Sequence, residues 1–329
     1  PFSYFGVMNT FDPDSFAKIL LSGTFDFEQM SEELWHYQLD QNKVIRDYCK
    51  RLGKAERQSI PIEFFKHFEM RTGDWQEETI FESSGTTGQT PSRHFVKDVS
   101  LYDQITIQGF HHFFEEGDYK ILALLPSYLE RGSSSLVHMV KNWIDHFGLP
   151  GSGFYLYNFE ELRKAIYEAM DAGEKIILIG VAYALLDFVE EEKIKLPADA
   201  IVMETGGMKG RKKEMIREEL HAHLREGLGI EMIRSEYGMT ELMSQAYTVE
   251  SGRFRTAPSM QVLVSDIHLN RLIQKPGISG RLHIIDLANI HSCAFIATDD
   301  IGRIHEDGSF EVLGRLDTAE IRGCSLMYE

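Results

Sequence analysis

Apolar residues recur at helical spacing along the first part of the chain. Between residues 14 and 53 they stand three or four positions apart among polar residues, and Gly23 and Gly53 interrupt the pattern. This spacing predicts an N-terminal helical cap over residues 1–60. A strand over residues 79–82 is expected to follow it.

Short apolar runs alternate with amphipathic segments through the middle of the chain. The pattern predicts strands over residues 119–125, 154–157, 175–179 and 200–203, and helices over residues 135–147, 159–172, 181–192 and 211–226. Strands and helices in alternation favour a parallel sheet with helices on its faces. Ligands of such sheets bind beyond the carboxyl ends of the strands. We assign residues 61–259 to this α/β core.

The pattern changes at about residue 260. Strand-like segments follow one another closely at residues 262–264, 281–285, 294–297 and 302–305, and Glu306-Asp307-Gly308 is a hairpin signal before a last strand at 310–313. These segments predict a β-rich subdomain over residues 260–329, packed on the sheet. The expected fold class is therefore α/β, a mainly parallel sheet flanked by helices with a β-rich C-terminal subdomain.

The charge balance narrows the classes of function. A formal charge of −17 and an isoelectric point near 5.2 argue against nucleic acid or an anionic membrane surface as the main partner. No apolar run approaches the roughly 20 residues that span a bilayer, and the N-terminus has no signal-peptide pattern. Three cysteines form an odd and sparse set that suits a reducing compartment. We therefore expect a cytoplasmic protein without membrane insertion.

One run of hydroxyl-bearing residues and glycines is suited to phosphate. Residues 81–92 offer backbone N–H groups and hydroxyl donors with little steric obstruction. The run lacks the Gly-Lys-Ser/Thr ending of a Walker loop, and a strand-like segment follows it. Taken alone, such runs are more often solvent-exposed loops or linkers, so both interpretations stay open at this point. The candidate phosphate-binding residues are Ser83, Ser84, Gly85, Thr86, Thr87 and Gly88.

Four later segments also carry unusual polar chemistry. Residues 204–213 follow a strand and open a helix, so Gly206 and Gly207 can admit a flat or phosphorylated ligand while Lys209 and Arg211 face it. A solvated helix start is the competing interpretation of these cations. Residues 236–241 end a second strand, residues 298–303 place carboxylates at a strand end, and residues 314–317 follow the hairpin.

In this order, the segments resemble the motifs of the adenylate-forming superfamily, which includes acyl-CoA synthetases, peptide-synthetase adenylation domains and luciferases. The resemblance implies ATP and Mg²⁺ as cofactors. It implies that Tyr237 stacks on adenine, Thr240 contacts phosphate, Glu241 holds the metal, and Asp300 and Arg315 reach the ribose. Together with the loop, the implied ATP-binding residues are Gly206, Gly207, Tyr237, Gly238, Met239, Thr240, Asp300 and Arg315.

A narrower resemblance, over residues 126–131, 134–137, 206–211 and 321–326, is to the acyl-protein synthetases of bacterial bioluminescence operons and their relatives. Members of that family activate a fatty acid with ATP and carry the acyl group on a cysteine near the C-terminus, where Cys324 stands here. Two departures from the superfamily accompany it. Ser92 and Arg93 follow Pro91 in place of the usual lysine, and we expect the mobile small C-terminal domain to be absent.

These resemblances imply ATP-dependent activation of a carboxylic, fatty acid and its transfer to a cysteine thiol. The implied catalytic residues are Cys324, Lys209 and Arg211, and an acyl-accepting reductase, acyltransferase or carrier protein is the expected partner. Three alternatives stay open: a ligase that forms acyl-CoA or loads a carrier directly, a catalytically idle nucleotide-binding subunit, and Cys324 as an ordinary unpaired thiol. The histidine pair His221 and His223 is expected on a helix surface.

Overall fold

The computed structural model describes residues 11–54, 56–83, 90–125, 132–192, 194–206, 215–250, 252–267, 272–273 and 275–316. Within these ranges the chain forms a twelve-stranded mixed sheet, a two-stranded hairpin and helices packed against the sheet. None of the helices in the described ranges is both long enough and apolar enough to cross a bilayer.

The predicted N-terminal helices are present as α1 (Pro13–Leu21), α2 (Phe27–Gln41) and α3 (Lys43–Leu52). Each begins where a polar side chain accepts a hydrogen bond from a first-turn backbone N–H, and the capping residues are Asp12, Asp26 and Asn42. The buried face of α2 includes Gln38, whose amide bonds the backbone of residues 289–294. The helical cap therefore supports a loop of the C-terminal part of the chain.

The alternation predicted for the core is confirmed. Strands β4 to β8 run parallel in the spatial order β5-β4-β6-β7-β8, with intervening helices that pack on them. The elements up to this point are β1 (Ile60–Pro61), α4 (Phe64–His67), β2 (Thr79–Glu82), β3 (Arg93–Val96), α5 (Val99–Phe113), β4 (Lys120–Leu124), α6 (Ser135–Phe147), β5 (Gly153–Tyr155), α7 (Phe159–Ala172), β6 (Ile176–Val181), α8 (Ala182–Glu191), β7 (Ile201–Thr205), α9 (Arg217–Leu228) and β8 (Ile233–Tyr237).

The β-rich part continues the same sheet, whereas it was expected as a subdomain packed on that sheet. The turn after β8 reverses the chain, so that β9 pairs antiparallel with β8 through Tyr237 and Ala246. The order then runs β9-β10-β14-β13-β12-β11 in antiparallel pairs, and the domain boundaries at residues 60 and 259 stay a prediction. These strands are β9 (Ala246–Glu250), β10 (Arg253–Thr256), β11 (Met260–Ser265), β12 (Ser279–Asp286), β13 (Phe295–Ile304) and β14 (Phe310–Arg315).

One strand differs from its prediction. The segments at 294–297 and 302–305 were expected as two strands with carboxylates at the first strand's end, whereas β13 is continuous and Asp300 lies in its interior. The ladder has an irregularity between Ile301 and Gly302. At Gly302 a Cβ atom would lie 2.2 Å from the carbonyl oxygen of Glu311, so the strands approach too closely for a side chain. Polar residues interrupt the apolar pattern here and therefore resembled a break between two strands. In the structure, Asp300 pairs with Arg315 within the sheet.

Candidate active site

The base of the hydroxyl-rich loop is the end of the hairpin formed by β2 and β3. Ser83 N donates to Ser92 O over 3.0 Å, and Ser92 N donates to Ser83 Oγ over 2.8 Å. These two bonds close the hairpin immediately before the loop. The predicted phosphate-binding residues from Ser84 to Gly88 lie outside the described residues, and their role stays a prediction.

The ends of β8 and β14 meet the middle of β13 at a hydrogen-bonded triad. Tyr237 Oη donates to Asp300 Oδ2 over 2.8 Å, and Arg315 Nε donates to Asp300 Oδ1 over 2.9 Å. The carboxylate of Asp300 is buried, whereas 71% of the Arg315 side chain is exposed. Each carboxylate oxygen retains capacity for a further donor. The triad therefore joins three of the predicted ATP-binding residues and fits recognition of vicinal hydroxyl groups.

Aromatic packing fixes the Tyr237 ring. Its centroid lies 5.7 Å from that of Phe254 and 5.5 Å from that of Phe310, and the latter contact is edge to face. Burial raises the pKa of Tyr237 well above its ordinary value, and the negative charge of Asp300 adds to this rise. The phenol is therefore a hydrogen-bond donor at every physiological pH.

The candidate metal ligand Glu241 lies on the turn after β8. Burial raises the pKa of its carboxyl group, while the neighbouring Ser92 hydroxyl lowers it. Within the described residues, Glu241 makes no ion pair with a cationic side chain and no cluster of three or more metal-ligand side chains occurs. A lone buried carboxylate is the kind of ligand that Mg²⁺ uses together with substrate phosphates, so Glu241 fits the implied ion.

Two buried glutamates lie behind the triad, near the ends of adjacent strands. Thr205 Oγ1 donates to Glu236 Oε2 over 2.5 Å. Burial raises the pKa of Glu236 to about 7; the Thr205 bond lowers it, and the negative charge of Glu204 adds to the rise. Glu236 is therefore partly protonated at neutral pH. No motif match singled this residue out, although its position directly before Tyr237 placed it at the site.

The other glutamate, Glu204, lies beside His221, whose position differs from the expected one. His221 is buried, with Nε2 3.5 Å from Glu204 Oε1 and 3.3 Å from Ser235 Oγ, whereas it was expected on the surface. Helix α9 turns His221, Leu224 and Leu228 toward the sheet at helical spacing, so His221 belongs to the buried face. His223 is exposed, as expected.

Gly238 is required by the position of the Glu236 carboxyl group. A Cβ atom at residue 238 would lie 2.3 Å from Glu236 Oε1. We expect Gly238→Ala to displace that carboxyl group from Thr205 and to lower the free energy of unfolding by about 1–3 kcal/mol, the usual cost of a lost buried hydrogen bond. Urea-induced unfolding measures this change.

A double-mutant cycle tests the cause of that loss. In a Glu236→Ala background, Gly238→Ala should cost much less, because the clashing oxygen atoms are gone. Gly153→Ala is the matched control, since a Cβ atom there has no neighbour within 4 Å. An equal cost of Gly238→Ala in both backgrounds would contradict the steric explanation.

The remaining predicted residues divide into those that the structure describes and those that lie outside the described ranges. Gly206 directly follows β7 with a φ of 67°, a conformation that favours glycine. Met239 accepts a hydrogen bond at its carbonyl oxygen from Leu242 N over 3.0 Å. The predicted residues Gly207, Lys209, Arg211 and Cys324 lie outside the described residues, and their roles stay predictions. Cys49 and Cys293 are buried and free.

The comparison with protein families agrees with the narrower of the two resemblances. A family model described as acyl-protein synthetase, LuxE, matches residues 154–329, which is more than half of the chain. The comparison with curated protein sequences gives no match.

Solved structures of adenylate-forming enzymes share the fold. ATP-bound MatB from Rhodopseudomonas palustris aligns with a TM-score of 0.51 and 14% identity, over 72% of this chain and 47% of MatB. A long-chain-fatty-acid-CoA ligase, FadD1, from Archaeoglobus fulgidus has a TM-score of 0.50 and 16% identity, over 76% of this chain and 53% of the ligase. The luciferase-like enzyme of the mealworm Zophobas morio has a TM-score of 0.51 and 16% identity, over 84% of this chain and 70% of that enzyme. The chain thus spans about half the length of the first two, and the predicted fold class is confirmed.

Proposed function

The chain belongs to the acyl-protein synthetase family LuxE, and we propose that it activates a carboxylic acid of the fatty class with ATP and transfers the acyl group to the thiol of Cys324. The product would be an acyl-protein thioester, and an acyl-accepting reductase, acyltransferase or carrier protein would consume it. The enzyme would be an AMP-forming acid–thiol ligase of the cytoplasm.

The observation that carries the proposal is the triad of Tyr237, Asp300 and Arg315. These residues come from three strands, yet two hydrogen bonds of 2.8 and 2.9 Å join them around one buried carboxylate. An aromatic ring beside a carboxylate with acceptor capacity is suited to a nucleoside, since the base needs a flat apolar surface and the ribose needs acceptors. This arrangement supports the roles that the resemblance implies for the three side chains.

The phosphate side would use Thr240, the loop donors from Ser83 to Gly88, and the cations Lys209 and Arg211. Glu241 would hold the metal. When bound, Mg²⁺ neutralises charge on the phosphate oxygens. The protein residues hold the reacting carboxylate and phosphate groups together against their mutual repulsion, which is the main obstacle to this reaction.

The reaction would proceed in two balanced steps. A carboxylate oxygen of the acid bonds to the α-phosphorus of ATP as the bond to pyrophosphate breaks, which gives an acyl-adenylate. The sulfur of Cys324 then bonds to the acyl carbon, AMP leaves with the bonding electron pair, and the thiol proton passes to solvent. A thiol suits the second step because a few per cent of an ordinary cysteine is thiolate at neutral pH.

Incubation with ATP, Mg²⁺ and labelled acids of different chain length tests the proposal. We expect acid-dependent ATP–pyrophosphate exchange and a hydroxylamine-sensitive acyl label on the protein. Cys324→Ser should abolish the label and leave the exchange intact, because adenylation precedes transfer. Cys49→Ala is the control, since that thiol is buried in the helical cap and should not change the label.

The same experiment distinguishes the alternatives. Consumption of coenzyme A or a carrier protein that is indifferent to Cys324→Ser would indicate a ligase that loads its acceptor directly. ATP binding without exchange for any acid would indicate a catalytically idle subunit. A label that survives Cys324→Ser would exclude this cysteine as the acceptor.

A further inference from the structure

The backbone carbonyl groups of Thr240 and of the candidate metal ligand Glu241 each accept a hydrogen bond from a buried side chain. His94 Nδ1 lies 2.8 Å from the carbonyl oxygen of Thr240, and Asn289 Nδ2 donates to that of Glu241 over 2.7 Å. His94 and Asn289 are only 1% and 2% exposed. Because a carbonyl oxygen only accepts, Nδ1 of His94 must carry the proton.

The rest of the turn is bonded by a third buried side chain, that of Asp286. Both Met243 N and Ser244 N donate to Asp286 Oδ2, over 2.7 and 2.9 Å, and Ser244 Oγ donates to Asp286 Oδ1 over 2.6 Å. The backbone from residue 240 to residue 244 is thus bonded by three buried side chains. Glu241 has little freedom to change its backbone orientation while these bonds persist.

The two side chains come from different parts of the fold. His94 belongs to β3, two residues after Ser92 at the base of the hydroxyl-rich loop. Asn289 follows β12, in a loop whose backbone is bonded by Gln38 of the helical cap over 2.8 Å at Asn289 O. His94 therefore connects the turn to the hairpin of β2 and β3, and Asn289 connects it to the N-terminal helices.

We propose that His94 and Asn289 are positioning residues that orient the Glu241 carboxylate toward a divalent cation. This inference rests on the proposed function, because it requires a metal–nucleotide complex at the site. Neither residue touches the metal. Their amide and imidazole donors set the direction of the Glu241 backbone and couple it to the hairpin that carries the loop.

Binding of Mn²⁺ with α,β-methylene-ATP tests the role without requiring turnover. Electron paramagnetic resonance measures the concentration of free Mn²⁺. Calorimetry in the presence of EDTA, which removes the metal, measures binding of the nucleotide alone. We expect His94→Phe and Asn289→Leu each to weaken Mn²⁺ binding by about 10- to 100-fold, as is usual for partners of metal ligands, with nucleotide binding in EDTA changed by less than about threefold. His94→Gln, which keeps an N–H donor, should restore most of the Mn²⁺ affinity.

Two matched variants control for general loss of structure. His283 is also buried and its pKa is also lowered to about 4 by burial, but it bonds Ser265 away from the turn. Asn142 likewise donates to a backbone carbonyl, that of Asp103. His283→Phe and Asn142→Leu should lower the unfolding temperature without a selective loss of Mn²⁺ binding.

The outcomes separate this inference from the proposed function. The positioning role alone is overturned if Mn²⁺ binding is unchanged in His94→Phe and Asn289→Leu. It is also overturned if Mn²⁺ binding weakens only in parallel with nucleotide binding and stability, as in the controls. If the unaltered protein binds the nucleotide analogue but no Mn²⁺, the inference fails together with the metal assignment of Glu241. If it binds neither, the proposed function fails as well.

Discussion

Asp300→Asn should lower acid-dependent ATP–pyrophosphate exchange by at least about a hundredfold. The carboxylate accepts from Tyr237 and Arg315 and is expected to accept the ribose hydroxyls as well. An amide offers one acceptor oxygen and turns two donors toward groups that also donate. Hydrogen bonds to charged groups contribute about 1.5–3 kcal/mol each, and about 1.4 kcal/mol corresponds to a factor of ten in rate. Loss of two such bonds is therefore sufficient for the expected effect.

The matched control is Asp307→Asn. Asp307 also pairs with an arginine, since Arg255 Nη2 lies 2.8 Å from its carboxylate, but this pair is on the surface. Exposed ion pairs contribute at most about 1 kcal/mol, so the exchange rate should remain nearly unchanged. Exchange that falls less than tenfold in Asp300→Asn, with the fold intact by circular dichroism, would exclude the triad as the nucleoside site.

The triad illustrates what sequence reasoning can reach. Tyr237, Asp300 and Arg315 were assigned to one site only because their motifs occur in the order of a known superfamily. Nothing in their local sequence fixes a contact between strands separated by 63 residues. A strand was expected to end at the motif of Tyr237, and the last strand was predicted over residues 310–313, whereas β14 extends to Arg315. The contact itself depends on the edge-to-edge order of the antiparallel strands, which periodicity does not specify.

His94 and Asn289 were missed for a different reason. A single buried histidine or asparagine in an apolar segment has no periodic or motif signal, and its importance comes from a backbone group far away in sequence. The distance from His94 to Thr240 is 146 positions. The strands β9 and β10 were also not predicted, because mixed polar and apolar residues between 246 and 256 follow the motif without a clear boundary.

The last residues of β8 contact different partners on the two faces of the sheet. Alternate side chains of β8 point to opposite sides. Tyr237 therefore meets the aromatic rings and Asp300, while Glu236 meets Thr205 and lies near Tyr102 and Tyr247, whose pKa values its charge raises further beyond the effect of burial. A carboxyl group thus occupies the opposite face of the strand that carries Tyr237, the residue proposed to bind the nucleoside.

This burial makes the stability of the protein depend on pH. The pKa of Glu236 is about 7 in the fold against 4.5 in its ordinary state. Between these values the folded state holds more protons than the unfolded state, so Glu236 lowers stability as the pH rises from about 4.5 to 7 and adds no further change above that range. At about 1.4 kcal/mol per pKa unit, the full effect is about 3 kcal/mol.

Glu236→Gln should therefore raise the free energy of unfolding relative to the unaltered protein by about 2–3 kcal/mol more at pH 8 than at pH 5. Glutamine keeps an oxygen acceptor for Thr205 but cannot ionise, so only the cost of burying a charge is removed. Urea-induced unfolding of both proteins at pH 5, 6, 7 and 8 gives the difference, in which titrating groups that do not interact with Glu236 cancel. Glu231→Gln, at an exposed position, should leave the pH dependence unchanged. A Glu236→Gln difference that is constant from pH 5 to 8 would mean that the carboxyl group does not ionise within the fold in this range.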